Sequence, residues 1–181
     1  MISTRPFLSL IEKKWIAFQI LTGLRDARKK KVSHGDLKSE NILVTSWNWV
    51  YITDFSSSFK PTYLPLDNPS DFAYFYDTSG RRSCYVAPER FFTAEKGPEG
   101  IKRSQVHEEI AASKTEGSKK DGKVTEAMDV FSAGCVLAEL FLEGTARFTL
   151  SELFKYREGE LDVDLHLSSI EGEQIRVCSS N

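Results

Sequence analysis

Asp36, Lys38 and Asn41 stand within six residues of chain, and Asp54 follows Asn41 by thirteen. Transfer of a phosphoryl group from a nucleoside triphosphate calls for these types: a carboxylate near the attacking hydroxyl, a cation on the phosphate and oxygen ligands for Mg2+. Asp36 can accept the proton of a substrate hydroxyl and orient that oxygen for in-line attack. Lys38 returns to the same side of an extended loop two residues on and can neutralise the γ-phosphate. Asn41 offers a neutral carbonyl oxygen to a metal, and Asp54 a hard anionic one. Leu43 offers an apolar floor for an adenine ring. Each fragment also has a plainer reading. Asp and Asn five residues apart often make a turn, because both bond their own backbone. Asp54-Phe55-Ser56 alone reads as a strand end.

These side chains need a frame. From Leu10 to about Lys30, Ile11, Trp15, Phe18, Leu21 and Leu24 recur at three- or four-residue spacing, which predicts an amphipathic helix. The basic run Arg28 to Lys31 complements the negative end of its macrodipole. Ile42–Thr45 and Trp49–Thr53 are short β-branched and aromatic runs either side of Ser46-Trp47-Asn48, a hairpin pattern. Residues 54–89 carry Pro61, Pro65 and Pro69 among many aromatics, which predicts a packed irregular loop without regular helix. Residues 95–123, rich in charge with scattered Gly and Pro, read as a flexible solvated insertion. Thr125 to Leu142 turns apolar and helical and closes at Gly144. A last helix is expected from Ser151 as N-cap, with Leu153 and Phe154 buried.

Forty per cent apolar residues in 181 suffice for one core, and a net charge of −2 carries no nucleic-acid signal. Cys84, Cys135 and Cys178 are odd in number and widely spaced, the pattern of reduced thiols rather than of a disulfide or zinc site. No run approaches the roughly 18 apolar residues of a spanning helix. Val130 to Leu142, broken by Ser132 and Glu139, reads as a core helix.

His34-Gly35-Asp36-Leu37-Lys38-Ser39-Glu40-Asn41, Asp54-Phe55-Ser56 and Ala87-Pro88-Glu89, in that order, resemble the catalytic half of a protein kinase. Asp129-Val130-Phe131-Ser132-Ala133-Gly134 is similar to the opening of the central kinase helix, where an aspartate accepts backbone N–H bonds from the catalytic loop. An ordinary N-cap aspartate would fit there equally well. More specific strings, among them Val44-Thr45-Ser46-Trp47-Asn48-Trp49, Ser58-Phe59-Lys60-Pro61-Thr62-Tyr63-Leu64-Pro65 and Cys84-Tyr85-Val86-Ala87-Pro88-Glu89-Arg90-Phe91, resemble the regulatory kinase subunit family of the class III phosphatidylinositol 3-kinase complex.

The resemblance implies an α+β protein-kinase-like fold: a mainly helical C-terminal lobe with a small catalytic-loop hairpin, and no N-lobe in this chain. Residues 1–175 would be a partial kinase domain, with 95–123 inserted in it and 176–181 a polar tail. It implies serine/threonine kinase activity with ATP and Mg2+. Asp36 and Lys38 are then catalytic, Lys38, Asn41, Leu43 and Asp54 hold the nucleotide, and Asn41 and Asp54 bind the metal. The implied partners are the lipid-kinase catalytic subunit, a Beclin-type subunit and a protein substrate. The implied location is cytoplasmic and peripheral on endosomal or autophagic membranes, through the complex.

Several residues depart from the kinase pattern. Gly35 stands where an arginine usually docks a phosphorylated loop. Ser56 replaces a glycine, and its Cβ should bias the hinge to fewer states. Ser83 lies one residue closer to Tyr85 than the usual threonine. No Gly-x-Gly occurs in the chain, so these residues alone are expected to give no useful turnover. The runner-up reading is a pseudokinase scaffold for the lipid kinase.

Overall fold

The computed structural model describes residues 8–56, 59–78, 80–93, 97–98 and 122–163. Helix α1 runs Leu10–Lys29 and begins in a capping box between Ser9 and Glu12. The helix is where periodicity puts it, but its faces are reversed. Ile16, Ala17 and Ile20 are buried, while Ile11, Trp15, Phe18 and Leu21 are exposed. Two apolar stripes share this helix, and spacing alone does not say which meets the core. The outer stripe is partly covered by its own rings: Trp15 stacks on Phe18 at 5.7 Å and meets Trp49 edge-on at 6.1 Å.

The hairpin forms as expected from β1 (Ile42–Val44) and β2 (Val50–Ile52), with Leu43 opposite Tyr51. Asn48 takes a positive φ of 60° at its tip, a conformation Asn tolerates. Gln19 of α1 clasps the hairpin, donating to Asn48 O at 2.7 Å and accepting from Val50 N–H at 3.1 Å. Gly23 is the point of closest approach, where a Cβ would stand 3.0 Å from Ile52 Cδ1.

The proline-bearing segment departs from expectation. Helix α2 (Ser70–Phe75) starts directly after Pro69, because a proline at a helix start forfeits only an N–H that would be unpaired there. Strand β3 (Leu64–Pro65) pairs in parallel with β4 (Phe91–Thr93), and β4 pairs antiparallel with β5 (Gly97–Pro98). The expected insertion therefore begins inside a small sheet. At its other end Gly122 is packed so closely that a Cβ would overlap the Tyr63 ring. Residues 99–121 and the tail 176–181 lie outside the described residues.

Helix α3 (Glu126–Phe141) is the central post, capped by Thr125. Ala133, Val136, Leu137 and Leu140 join Ile16, Ile20, Leu37 and Ile42 in one core cluster. Cys135 enters a second with Leu64, Phe72, Phe91 and Leu153, and Met128 a third with Tyr63 and Val124. Burial pushes the Cys84 thiol up to about 12 and raises that of Cys135, so both remain protonated core residues. Helix α4 runs Leu150–Arg157, with its N-cap at Thr149 rather than Ser151. Thr149 wins because Glu152 stands three residues on and closes a capping box, its carboxylate accepting from Thr149 N–H at 2.8 Å. Leu153 is fully buried and Phe154 partly so.

Arg147, just before α4, is 7 % exposed, and its Nε and Nη2 have no hydrogen-bond partner among the described residues. Its guanidinium lies 4.4 Å from the Phe148 ring, and burial lowers its pKa. The Glu152 carboxylate offsets part of its charge, but buried N–H groups without acceptors remain a cost. Arg147→Leu is expected to stabilise the fold by about 1 kcal/mol, read as a rise in Tm of roughly 2–4 °C by thermal denaturation.

Candidate active site

The loop from His34 to Asn41 sits between α3, the hairpin and the segment after Asp54, and its backbone is held group by group. Asp129 on α3 accepts the His34 N–H at 2.7 Å and the Gly35 N–H at 2.9 Å, one on each carboxylate oxygen. The aspartate thus plays the role implied by the kinase resemblance, not that of a helix cap, which falls to Thr125. From the opposite side Arg90 donates to Gly35 O at 2.9 Å. Gly35 has φ +82°, where any other residue type would be strained.

His34 fixes the distance between the two ends of the site. Its Nδ1 accepts the Asp36 N–H at 3.2 Å, which leaves the ring proton on Nε2, 2.9 Å from Thr53 O. Its carbonyl accepts the Ser56 N–H at 2.9 Å, and its ring lies 4.5 Å from that of Phe55. Burial holds its pKa below the ordinary histidine value, so the ring is neutral in this network.

Asp36, Lys38 and Asn41 come together, and all three are buried. Lys38 Nζ is 3.6 Å from Asp36 Oδ2 and 3.2 Å from Glu40 Oε2, and donates to Tyr76 O and to Thr78 Oγ1, each at 3.3 Å. Asn41 Nδ2 donates to Asp36 O at 2.8 Å, which turns its Oδ1 away as a free acceptor. Asp54 joins through the backbone: Thr53 N–H donates to Asn41 O at 2.9 Å, placing the exposed Asp54 beside Asn41. Asp54 has φ 60°, an uncommon conformation that concentrates at functional sites. One neutral and one anionic oxygen fit Mg2+, which takes few protein ligands and completes its shell with water and phosphate oxygens. No three His, Cys, Asp or Glu side chains gather as a metal cage among the described residues. Leu43 is exposed opposite Tyr51 in the hairpin, where it offers an apolar surface.

Two residues of the site carried no signal in the sequence beyond their place in a resembling string. Lys60 Nζ reaches Asp36 Oδ2 at 2.6 Å and Phe75 O at 2.6 Å. Arg90, 2 % exposed, donates to Thr62 O at 2.7 Å and to Pro61 O at 3.2 Å, and bonds the Tyr76 hydroxyl. Both are chain-distant from the loop they hold. The alternation of cations with prolines and aromatics is the trace they leave.

The neutral state of His34 has a pH signature. A folded pKa below the unfolded one means that the unfolded chain binds the extra proton, so His34 contributes stability above about pH 6.5 that is lost as pH falls. Chemical denaturation between about pH 7.5 and 5.5 should show the wild type losing stability, and His34→Gln, weaker throughout, losing less over that interval.

The same sequence is 53% identical over 171 residues to serine/threonine-protein kinase vps15 of Schizosaccharomyces pombe, covering 94% of this chain and 9% of that protein. It is 50% identical over 175 residues to serine/threonine-protein kinase VPS15 of Arabidopsis thaliana, covering 97% of this chain and 10% of that protein. A more distant likeness, 30% over 131 residues, joins it to 3-phosphoinositide-dependent protein kinase 1 of Caenorhabditis elegans, covering 71% of this chain and 20% of that protein. No family model matches. The chain spans about a tenth of the length of the VPS15 relatives it matches. With identity this high across nearly all its residues, and the His34–Asn41 loop held by Asp129 of the central helix as described, the chain belongs to the VPS15 serine/threonine-protein kinase family as a piece of its kinase domain.

Proposed function

We propose that the protein carrying this chain transfers the γ-phosphoryl group of ATP to serine or threonine hydroxyls of a protein. The observation that carries the reading is the joint placement of Asp36, Lys38 and Asn41 in one buried, hydrogen-bonded loop with Asp54 beside Asn41. The substrate oxygen forms a bond to the γ-phosphorus as the bond to the β,γ-bridging oxygen breaks, and ADP leaves with that electron pair. Asp36 takes the hydroxyl proton and passes it to solvent. Lys38 offsets negative charge on the phosphoryl oxygens as they move. When bound, Mg2+ supplies charge neutralisation between β- and γ-phosphates, held by Asn41 and Asp54. Leu43 gives the base an apolar surface.

The family supports a further assignment: the regulatory subunit of the class III phosphatidylinositol 3-kinase complex, with a lipid-kinase catalytic subunit and a Beclin-type subunit as partners. The site of action is then the cytoplasmic face of endosomal and autophagic membranes. The scaffold reading draws on Gly35, which offers no cation to a phosphorylated loop. Four intact chemical residues weigh against it, since a scaffold has no need of all of them.

The test is ATP-dependent phosphorylation by the full gene product, with nucleotide binding measured alongside. Asp36→Asn is expected to lower kcat by about 10³-fold or more with ATP binding kept. Asp54→Ala is expected to abolish the Mg2+ dependence of nucleotide binding together with transfer. Binding and complex assembly that persist in a wild type with no transfer above Asp36→Asn would establish the scaffold instead.

A further inference from the structure

We propose that Lys60 is a positioning residue of the transfer site, locking the Asp36 carboxylate and docking the segment after Asp54 without any phosphorylated residue. The inference rests on the kinase reading above.

Two hydrogen bonds and one cation–π contact hold the Lys60 ammonium. It is 2.6 Å from Asp36 Oδ2, 2.6 Å from Phe75 O, and 5.2 Å from the centre of the Tyr76 ring. Lys60 is assigned to holding Asp36 rather than to binding the phosphate. That work stays with Lys38, whose ammonium lies 3.6 Å from the same carboxylate oxygen. Asn41 Nδ2 approaches Oδ2 as well, at 3.5 Å. Positive groups thus converge on Oδ2, while Oδ1 has no hydrogen bond among the described residues. A carboxylate pinned through one oxygen has its rotamer fixed and presents the other to the substrate hydroxyl.

The same ammonium ties two distant stretches together. Lys60 opens the segment 59–63, Phe75 and Tyr76 end α2, and Asp36 belongs to the catalytic loop. Tyr76 donates to Pro61 O at 2.7 Å and lies between Lys60 and Arg90, whose guanidinium is 5.0 Å from its ring. An arginine at position 35 would have offered a cation to a phosphorylated residue. Gly35 offers none, and Lys60 makes the link permanently with a charge of its own.

The test compares Lys60→Met, which keeps the stem and loses the charge, with Lys60→Arg, which keeps the charge, in the full gene product. Lys60→Met is expected to lower kcat by roughly 10–100-fold with KM for ATP unchanged, and Lys60→Arg to recover at least half of that loss on a logarithmic scale. Phosphatase treatment should leave wild-type kcat where it was. A Lys60→Met kcat equal to or above wild type, a rise in KM for ATP in its place, or loss on phosphatase treatment would overturn the proposal. A separate measurement needs neither turnover nor a Lys60 variant. Reductive methylation should modify Lys60 at least tenfold more slowly than the exposed Lys14 and Lys30, and Asp36→Asn should accelerate Lys60 while leaving Lys14 and Lys30 unchanged. Should the wild type show no transfer, the kinase reading fails. The labelling then decides Lys60: equal rates in wild type and Asp36→Asn overturn the lock, and selective acceleration sustains it.

Discussion

Gly35 is gripped through both of its backbone polar groups, and the rest of the site hangs from that grip. Its N–H is held by the Asp129 carboxylate at 2.9 Å and its carbonyl by the Arg90 guanidinium at 2.9 Å. A peptide buried between helix and loop must find partners for both groups, and unpaired each would cost about 1–3 kcal/mol. Charged partners make the bonds stronger and more directional than a neutral ladder would. They also come from opposite ends of the chain's topology, Asp129 from the central helix and Arg90 from the turn that precedes β4. The catalytic loop is therefore placed by two elements that contact each other through it. Glycine suits the position because φ is +82°.

Helix α3 extends that logic along its length. One turn past Asp129, Ser132 donates to Tyr85 O at 2.6 Å, and two turns further Glu139 accepts from the Tyr85 hydroxyl at 2.6 Å. Ser39 Oγ lies 3.1 Å from that hydroxyl, so the far end of the catalytic loop is tied to the same helix through one phenol. Burial and the Glu139 carboxylate raise the Tyr85 pKa, keeping the proton that makes the bridge. A single apolar helix with three inward polar residues thus sets the frame for both the loop and the end of the segment before Ala87-Pro88-Glu89. Each inward polar group is matched, which is what allows the helix to be a core element and a fixture for the site at once.

What was legible in the sequence is what is local. The hairpin, the extent of α1 and α3 and the cluster of Asp36, Lys38 and Asn41 follow from periodicity, turn residues and short spacing. The buried face of α1 does not, because Ile16 and Ile20 compete with an equally regular stripe through Trp15 and Phe18, and only the packing of α3 chooses between them. Helix α2 was hidden by the prolines around it, although Pro69 is placed to start a helix rather than break one. The cap of α4 turns on a carboxylate three residues ahead, a pairing as local as any but two positions from Ser151. Lys60 and Arg90 are the least legible. Their partners lie 24 and 55 residues away in sequence, and a lysine or arginine in a loop ordinarily reads as solvated surface.

His34 makes the site one unit rather than two. Asp36 is held through its N–H by Nδ1, and the stretch around Asp54 is held through Thr53 O by Nε2 and through Ser56 N–H by the His34 carbonyl. A rigid ring about 2 Å across between the two nitrogens leaves little play between Asp36 and Asp54. Protonating that ring would convert Nδ1 from acceptor to donor and set it against the Asp36 N–H. The neutral state imposed by burial is thus a geometric requirement as much as an electrostatic one. Ser56 belongs to the same argument. Its backbone is fixed by the bond to His34 and its side chain is buried, so the Cβ in place of a glycine leaves the segment after Asp54 little freedom to swing out and back. Lys60 then pins that segment to Asp36 a few residues later. From Asp54 the chain leaves the site and returns to Asp36 at Lys60 within seven residues, and both crossings are fixed without a phosphate group.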